Sequence, residues 1–169
     1  MLKRFFGYYR PYRRLFILEF GCAVFAGLLE LAFPVAVNQV IDMIMPKGDF
    51  RLIALASAGL FAFYIINTFL QFIVVYFGHM LGVNIETDMR EELYQHLQTQ
   101  PFEYYDNQKT GKLMSRLTTD LFEISEVAHH GPEDVFITIM TLAGSFLLML
   151  TIHVKLAIAT FILLPFITI

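Results

Sequence analysis

The mainly apolar run from Leu52 to Ile85 contains no Asp, Glu, Lys or Arg, and His79 is its single histidine. About 20 apolar residues are enough for a helix to cross a bilayer. This run is longer and continues into a charged stretch with helical spacing, so it predicts a membrane helix that extends into water. The predicted spans lie at about 15–45, 52–80, 135–152 and 156–169. The last of these is too short to cross, so we expect the chain to be a fragment of a longer protein.

The first fourteen residues predict a separate short helix. Their apolar side chains have helical spacing at Leu2, Phe5, Phe6 and Tyr9. Basic residues fall elsewhere around the same turns, which is typical of an amphipathic helix lying in the membrane interface. We call residues 1–14 the elbow helix and expect Pro11 to end it. A plain basic tail beside the membrane is the alternative.

Between the second and third spans, two apolar stripes recur at intervals of three or four residues. They consist of Ile85, Met89, Leu93 and Leu97, and then of Leu113, Leu117, Leu121 and Ile124. Such stripes predict two amphipathic helices packed face to face, which we call the arms (81–131). Pro101 breaks the first of them, and a short polar, aromatic patch at about 101–107 lies between the two. Gly131-Pro132 indicates either a joint between two helices or a kink in one continuous helix.

Composition places the chain in the membrane class, because 57% of its residues are hydrophobic and only 16% are charged. Lys and Arg concentrate in the first fourteen residues and in the 86–134 segment. The positive-inside rule therefore predicts an integral membrane protein whose N-terminus and arms are cytoplasmic. Cys22 is the single cysteine, which excludes a disulfide within the chain.

The turn between the arms is the first candidate functional site. It combines aromatic and acidic side chains at a predicted exposed tip: Phe102, Glu103, Tyr104, Tyr105, Asp106 and Asn107. Exposed aromatic residues favour docking into a partner's groove. The alternative is an ordinary turn whose aromatic rings fold back onto the arms.

Polar residues inside the spans form a second candidate site, because such residues are costly in lipid and often functional. They are Glu30, Asn38, Gln39, Asn67 and Gln71. They could line a substrate pathway, and the alternative is hydrogen bonding between helices. Glu19, near the predicted inner interface, is expected to pair with Arg13 or Arg14.

No catalytic residue, metal site or resident cofactor is predicted for this chain. His129 and His130 are adjacent, so on a helix they point about 100° apart. Lys109–Lys112 lacks the glycine spacing of a P-loop. We therefore expect this chain alone to hydrolyse nothing.

The segment from Phe102 to Leu121 resembles the first intracellular loop of ATP-binding-cassette (ABC) exporters. An aromatic-aromatic-Asp patch is followed by Thr-Gly-x-x-x-Ser-Arg at Thr110–Arg116, and then by a polar residue and Asp120. Arg10-Pro11-Tyr12 in the elbow, and His153–Leu156 followed by Leu164-Pro165, are also similar to that family.

The resemblance implies an all-α, type I ABC exporter transmembrane domain of six helices, of which this chain holds three and part of a fourth. It implies a homo- or heterodimer in a bacterial plasma membrane. It also implies nucleotide-binding domains, fused or separate, that hold ATP and Mg and make the whole protein an ATP-hydrolysing translocase. Residues 102–107 would then be the coupling helix that contacts those domains.

The function that follows is ATP-driven efflux of a multidrug-type, amphipathic or lipid-like substrate by alternating access. Two other classes stay open on the residues alone: a membrane scaffold or sensor whose arms bind a partner protein, and a channel subunit. No nucleic-acid partner is expected.

Overall fold

Every regular element in the described part of the chain is helical. The structure is a computed structural model that describes residues 2–106 and 108–167, with side chains for residues 4–106 and 108–163. The α-helices are α1 Leu2–Phe5, α2 Arg13–Gln39, α3 Phe50–Gln98, α4 Phe102–Asp106, α5 Thr110–Ser115, α6 Leu121–Ile152 and α7 Val154–Ile167. Shorter 3-10 or π-helical turns occupy Phe6–Tyr9, Val40–Ile44, Met45–Lys47 and Arg116–Asp120. The predicted all-α fold is confirmed.

Three helical segments of the described chain are long and apolar enough to cross a membrane. They are Arg13–Lys47, Phe50–Gln98 and Thr110–Ile152, and a shorter apolar helix covers Val154–Leu163. Many of their large apolar side chains are exposed within the chain. Helices satisfy their own backbone hydrogen bonds, so lipid or further protein can cover these apolar surfaces without leaving polar groups unpaired.

A tight turn separates α2 from α3. Gly48 adopts a left-handed conformation with φ of 65°, which glycine tolerates because it has no Cβ. Asp49 then starts α3, because its Oδ1 accepts hydrogen bonds from the backbone N–H groups of Arg51 at 2.9 Å and Leu52 at 3.3 Å.

Helix α6 passes through Gly131 and Pro132 without interruption. Of the two alternatives left open by the sequence, the structure therefore has one continuous helix rather than a joint between two. Pro34 is likewise inside α2. Proline is tolerated within membrane helices because local adjustments and neighbouring groups can satisfy the freed carbonyl.

The chain divides into two compact units. Unit 1 comprises Met1–Cys22 and Phe72–Asp134, and unit 2 comprises Ala23–Gln71 and Val135–Ile169. In unit 2, Gly27 faces Met140 and Gly144 faces Leu31, so a small residue accepts a large side chain at both contacts. This is how membrane helices pack without a hydrophobic driving force between them.

In unit 1 the two arms pack antiparallel. His129 lies against Gly78, and Arg90 Nε donates to the Leu117 carbonyl at 3.0 Å. A residue later in the first helix therefore contacts a residue earlier in the second, which is the order of an antiparallel pair. The core beside this contact contains Tyr9, Leu81, Ile85 and Ala128, all buried. The elbow residue Tyr9 therefore shares the core of the arms.

Candidate functional site

The predicted tip is built on the five-residue helix α4, Phe102–Asp106, and Asn107 lies outside the described residues. Phe102 is 90% exposed. Tyr105 instead folds back, because its hydroxyl donates to the Leu97 carbonyl at the end of α3. Tyr104 packs edge-on against Tyr105 with ring centroids 5.4 Å apart. The tip thus has one projecting aromatic ring on a helix that two tyrosines hold against the arm.

The acidic members of the tip, Glu103 and Asp106, are exposed on α4. Directly after the tip, the segment that carries the family resemblance forms α5 and the π-helical turn Arg116–Asp120. Such turns widen a helix by one residue and often occur at functional sites. Arg116 of this turn is exposed as well. Exposed charged groups of both signs therefore follow Phe102 along the chain.

The elbow is attached to the arms by polar contacts. Tyr9 donates its hydroxyl to the Ala128 carbonyl at 2.5 Å, and both Arg4 and Tyr8 donate to the Glu92 carboxylate. Burial, with a further contribution from the Glu19 charge, raises the pKa of Tyr9 to about 12. The hydroxyl that ties the elbow to α6 therefore stays protonated at neutral pH.

The predicted pathway residues lie in unit 2 and are mostly exposed within the chain. Glu30, Asn38 and Gln39 are exposed on α2, and Gln71 is exposed on α3. Asn38 donates to Asp42 one helical turn away at 2.9 Å. Asn67 differs, because its Oδ1 is buried and has no hydrogen-bond partner among the described residues. Nothing in the described contacts gathers these residues into one site.

A second polar cluster, missed by the sequence analysis, is buried in unit 1. Glu19 is 1% exposed, His129 4% and Glu133 7%. Glu19 lies 3.4 Å from Nδ1 of His129, so its predicted pairing with Arg13 or Arg14 is wrong. Two features of the sequence could have indicated this cluster: the Glu19 carboxylate inside an apolar stretch, and His79, the single histidine in the run from Leu52 to Ile85.

His79 extends this buried cluster on the other side of the ring. Its Nδ1 lies 2.9 Å from Nε2 of His129, and their ring centroids are 4.9 Å apart. The ring of His130 is also adjacent, with its centroid 4.1 Å from that of His129. Both nitrogens of His129 therefore face ionisable groups from other turns or helices.

Comparison with known proteins decides the family. Residues 16–169 match the family described as the ABC transporter transmembrane region. This chain belongs to that family. The resemblance to the ABC family is confirmed, and the chain is part of an integral membrane protein.

Three curated relatives are each several times longer than this chain. The chain is 56% identical over 98% of its length to the uncharacterized ABC transporter ATP-binding protein YwjA of Bacillus subtilis (strain 168), and covers 29% of that protein. It is 31% identical over 99% of its length to the YknU protein of the same organism, of which it covers 28%. It is 26% identical over 75% of its length to an ATP-dependent lipid A-core flippase of Idiomarina loihiensis, of which it covers 22%. The chain thus spans less than a third of each relative.

Replacing Tyr9 with Phe tests the attachment of the elbow. We expect faster hydrogen exchange or proteolysis within residues 2–12, because a buried hydrogen bond worth about 1 kcal/mol is lost. Tyr9 has a raised pKa, so its contribution is complete below about pH 10 and is lost as the pH rises towards about 12. The Tyr9→Phe protein should lack this alkaline loosening.

Tyr94→Phe is the matched control, because Tyr94 is exposed on the arm. The difference in phenolate absorbance between wild type and Tyr9→Phe, followed against pH, gives the pKa of Tyr9 directly. Equal protection of the elbow in wild type and Tyr9→Phe at neutral pH would show that the hydroxyl does not hold it.

Proposed function

We propose that this chain is the membrane-spanning part of an ATP-driven exporter. In the whole protein, nucleotide-binding domains bind and hydrolyse ATP with Mg, and the spans switch between inward- and outward-facing states to release an amphipathic or lipid-like substrate. Family membership supports the ABC architecture, and the relatives include one named as an ATP-binding protein and one named as a lipid A-core flippase. The site that carries the proposal is the tip at 102–107.

The exposed ring of Phe102 supports docking of the tip into a nucleotide-binding domain. A large aromatic side chain that is 90% exposed in the free chain is a natural anchor for a partner's pocket. The acidic side chains Glu103 and Asp106 favour a pocket with a basic rim. Because the Tyr105–Leu97 hydrogen bond already fixes α4, docking requires little further ordering of the tip.

The arms support transmission of movement from the tip. Arg90 connects the two arms by donating a hydrogen bond to the Leu117 carbonyl, and it also pairs with Glu86 on its own helix. Helices α3 and α6 run unbroken from the arms into the apolar segments. A continuous helix resists bending, so we infer that displacement of α4 is passed along both helices to the spans.

The proposal places the N-terminus and the arms in the cytoplasm of a bacterial cell, with the spans in the plasma membrane. A second transmembrane subunit, identical or homologous, would cover apolar surface that the chain leaves open. One such surface in unit 1 is a groove of about 1030 Å³ whose lining includes Phe5, Met89, Leu93 and Ile124. An open apolar groove of this size favours burial against further protein.

Phe102→Ala in the full-length protein tests docking. We expect substrate-stimulated ATP hydrolysis to fall about tenfold, because truncating an aromatic anchor costs about 2 kcal/mol or more of binding free energy. Phe122→Ala is the matched control, since Phe122 is an exposed ring on α6 away from the tip. Equal substrate-stimulated ATP hydrolysis in the two variants would show that Phe102 is not a docking anchor. A wild type that shows no ATP-dependent transport would favour the scaffold or sensor.

A cysteine at the tip tests the orientation. In a Cys22→Ala background, Phe102→Cys becomes the single thiol of this chain. We expect a membrane-impermeant maleimide to label it in inside-out vesicles and to leave it unlabelled in intact cells. Labelling of intact cells would place the tip outside, where no ATP-binding domain could reach it.

Glu30→Gln tests the polar face of α2 as a substrate pathway. We expect a changed preference among cationic and neutral amphipathic substrates, because a carboxylate in an apolar path attracts cations. Glu123→Gln is the control, an exposed carboxylate on the arm. If both variants keep the wild-type transport profile, Glu30 is outside the pathway.

A further inference from the structure

The buried cluster of unit 1 lies where α2, α3 and α6 meet, and it includes none of the residues used in the proposed function. Glu19 comes from α2, while His129 and Glu133 come from α6. One oxygen or nitrogen atom from each of these three side chains lies within 4.8 Å of the others. All three side chains are more than nine-tenths buried.

The facing polar atoms of this cluster have no hydrogen-bond partner among the described residues. This applies to both carboxylate oxygens of Glu19 and to Nδ1 of His129, whose closest approach to each other is 3.4 Å. A buried carboxylate without a hydrogen bond is strongly unfavourable, and two neighbouring carboxylates repel each other. A cation placed between them would relieve both effects.

His129 is oriented so that Nδ1 can serve as a ligand. Its Nε2 lies 2.9 Å from Nδ1 of His79, and its ring occupies the space that a side chain at Gly78 would fill. When Nε2–H donates to His79, the lone pair of Nδ1 points towards the two carboxylates. Histidines that bind metals commonly have their second nitrogen held in this way.

We propose that Glu19, His129 and Glu133 bind one divalent transition-metal ion of the zinc class, with His79 as a positioning residue. One imidazole and two carboxylates are ligands that such ions accept, and three protein ligands leave a coordination position for water. The inference depends on the geometry of unit 1 alone. A negative result for metal binding would therefore leave the proposed export function unaffected, and the reverse also holds.

The second group of histidines offers a competing location on the opposite side of His129. His79, His129 and His130 also present nitrogens within 4.8 Å of one another. However, His79 and His130 are exposed, and Nε2 of His129 is already at hydrogen-bond distance from His79. The carboxylate side contains the unsatisfied atoms, which is why the proposal places the ion there.

Metal binding by the full-length protein tests this site. The protein, purified without a histidine tag and stripped of metal, is titrated with Co²⁺ in lipid nanodiscs, and Zn²⁺ is then added as competitor. We expect one Co²⁺ per chain, a visible absorption band of low coordination number, and displacement by Zn²⁺. Zn²⁺ should also raise the melting temperature of the wild type, because it binds the folded state.

Variants separate the two sides of His129. Glu19→Gln and Glu133→Gln should each lose the Co²⁺ band or weaken binding by at least tenfold, whereas His130→Ala should bind as the wild type does. Glu123→Gln is the matched control, because Glu123 is an exposed carboxylate on the same helix as Glu133. His79→Ala should weaken binding by about 10- to 100-fold, and His79→Gln, whose side-chain oxygen can still accept from Nε2–H of His129, should restore binding in part.

Three results would overturn the proposal. The first is a wild type that binds no Co²⁺ beyond the level of Glu19→Gln. The second is binding that survives Glu19→Gln but is lost in His130→Ala, which would place the ion among the histidines. The third is an unchanged affinity in every variant, which means adventitious binding. If Glu19→Gln does not fold, Glu19→Asp replaces it, since a withdrawn carboxylate must alter the Co²⁺ spectrum.

Discussion

The close approach of α3 and α6 at Gly78 and Gly82 is the contact on which unit 1 depends. A side chain at Gly78 would overlap the His129 ring, and a Cβ at Gly82 would lie 3.4 Å from the Ser125 carbonyl and from Cβ of His129. Because the helices come this close, the His129 ring is enclosed and the neighbouring Ala128 carbonyl is within reach of Tyr9. Two residues without side chains therefore fix the arms, the elbow and the buried cluster together.

The features that the sequence predicts are those that depend on local pattern. A helix that crosses a bilayer needs about 20 apolar residues and pairs its own backbone groups, so composition and spacing are enough to predict the all-α membrane fold. The stripes of the arms are equally local, since helical periodicity alone defines which residues share a face. The Thr110–Asp120 pattern is a contiguous string, which is why the family can be read from it. Gly131-Pro132 could not be resolved in this way, because a membrane helix tolerates proline and α6 does continue through it.

The buried cluster depends instead on which faces of distant helices meet, and periodicity does not contain that information. From the sequence, Glu19 is predicted to pair with the nearest cations along the chain, Arg13 and Arg14. In the fold its neighbour is His129 from another helix. The same reasoning judged His129 by its spacing from His130, although the contact that orients its ring comes from His79 on α3. At the tip, likewise, the composition indicated exposed aromatic rings but could not tell that Tyr105 bonds the arm while Phe102 projects.

The buried cluster joins three helices of unit 1 at one level along their length. On α6, His129 and Glu133 come between the Arg90–Leu117 contact and the predicted third span, while His79 lies at the end of the predicted second span on α3. Glu19 adds α2 as a third helix at this level. Without a cation, the burial of two neighbouring carboxyl groups, Glu19 and Glu133, opposes close packing of α2 on α6. With a cation bound to both, α2 would be tied to α6 at this level.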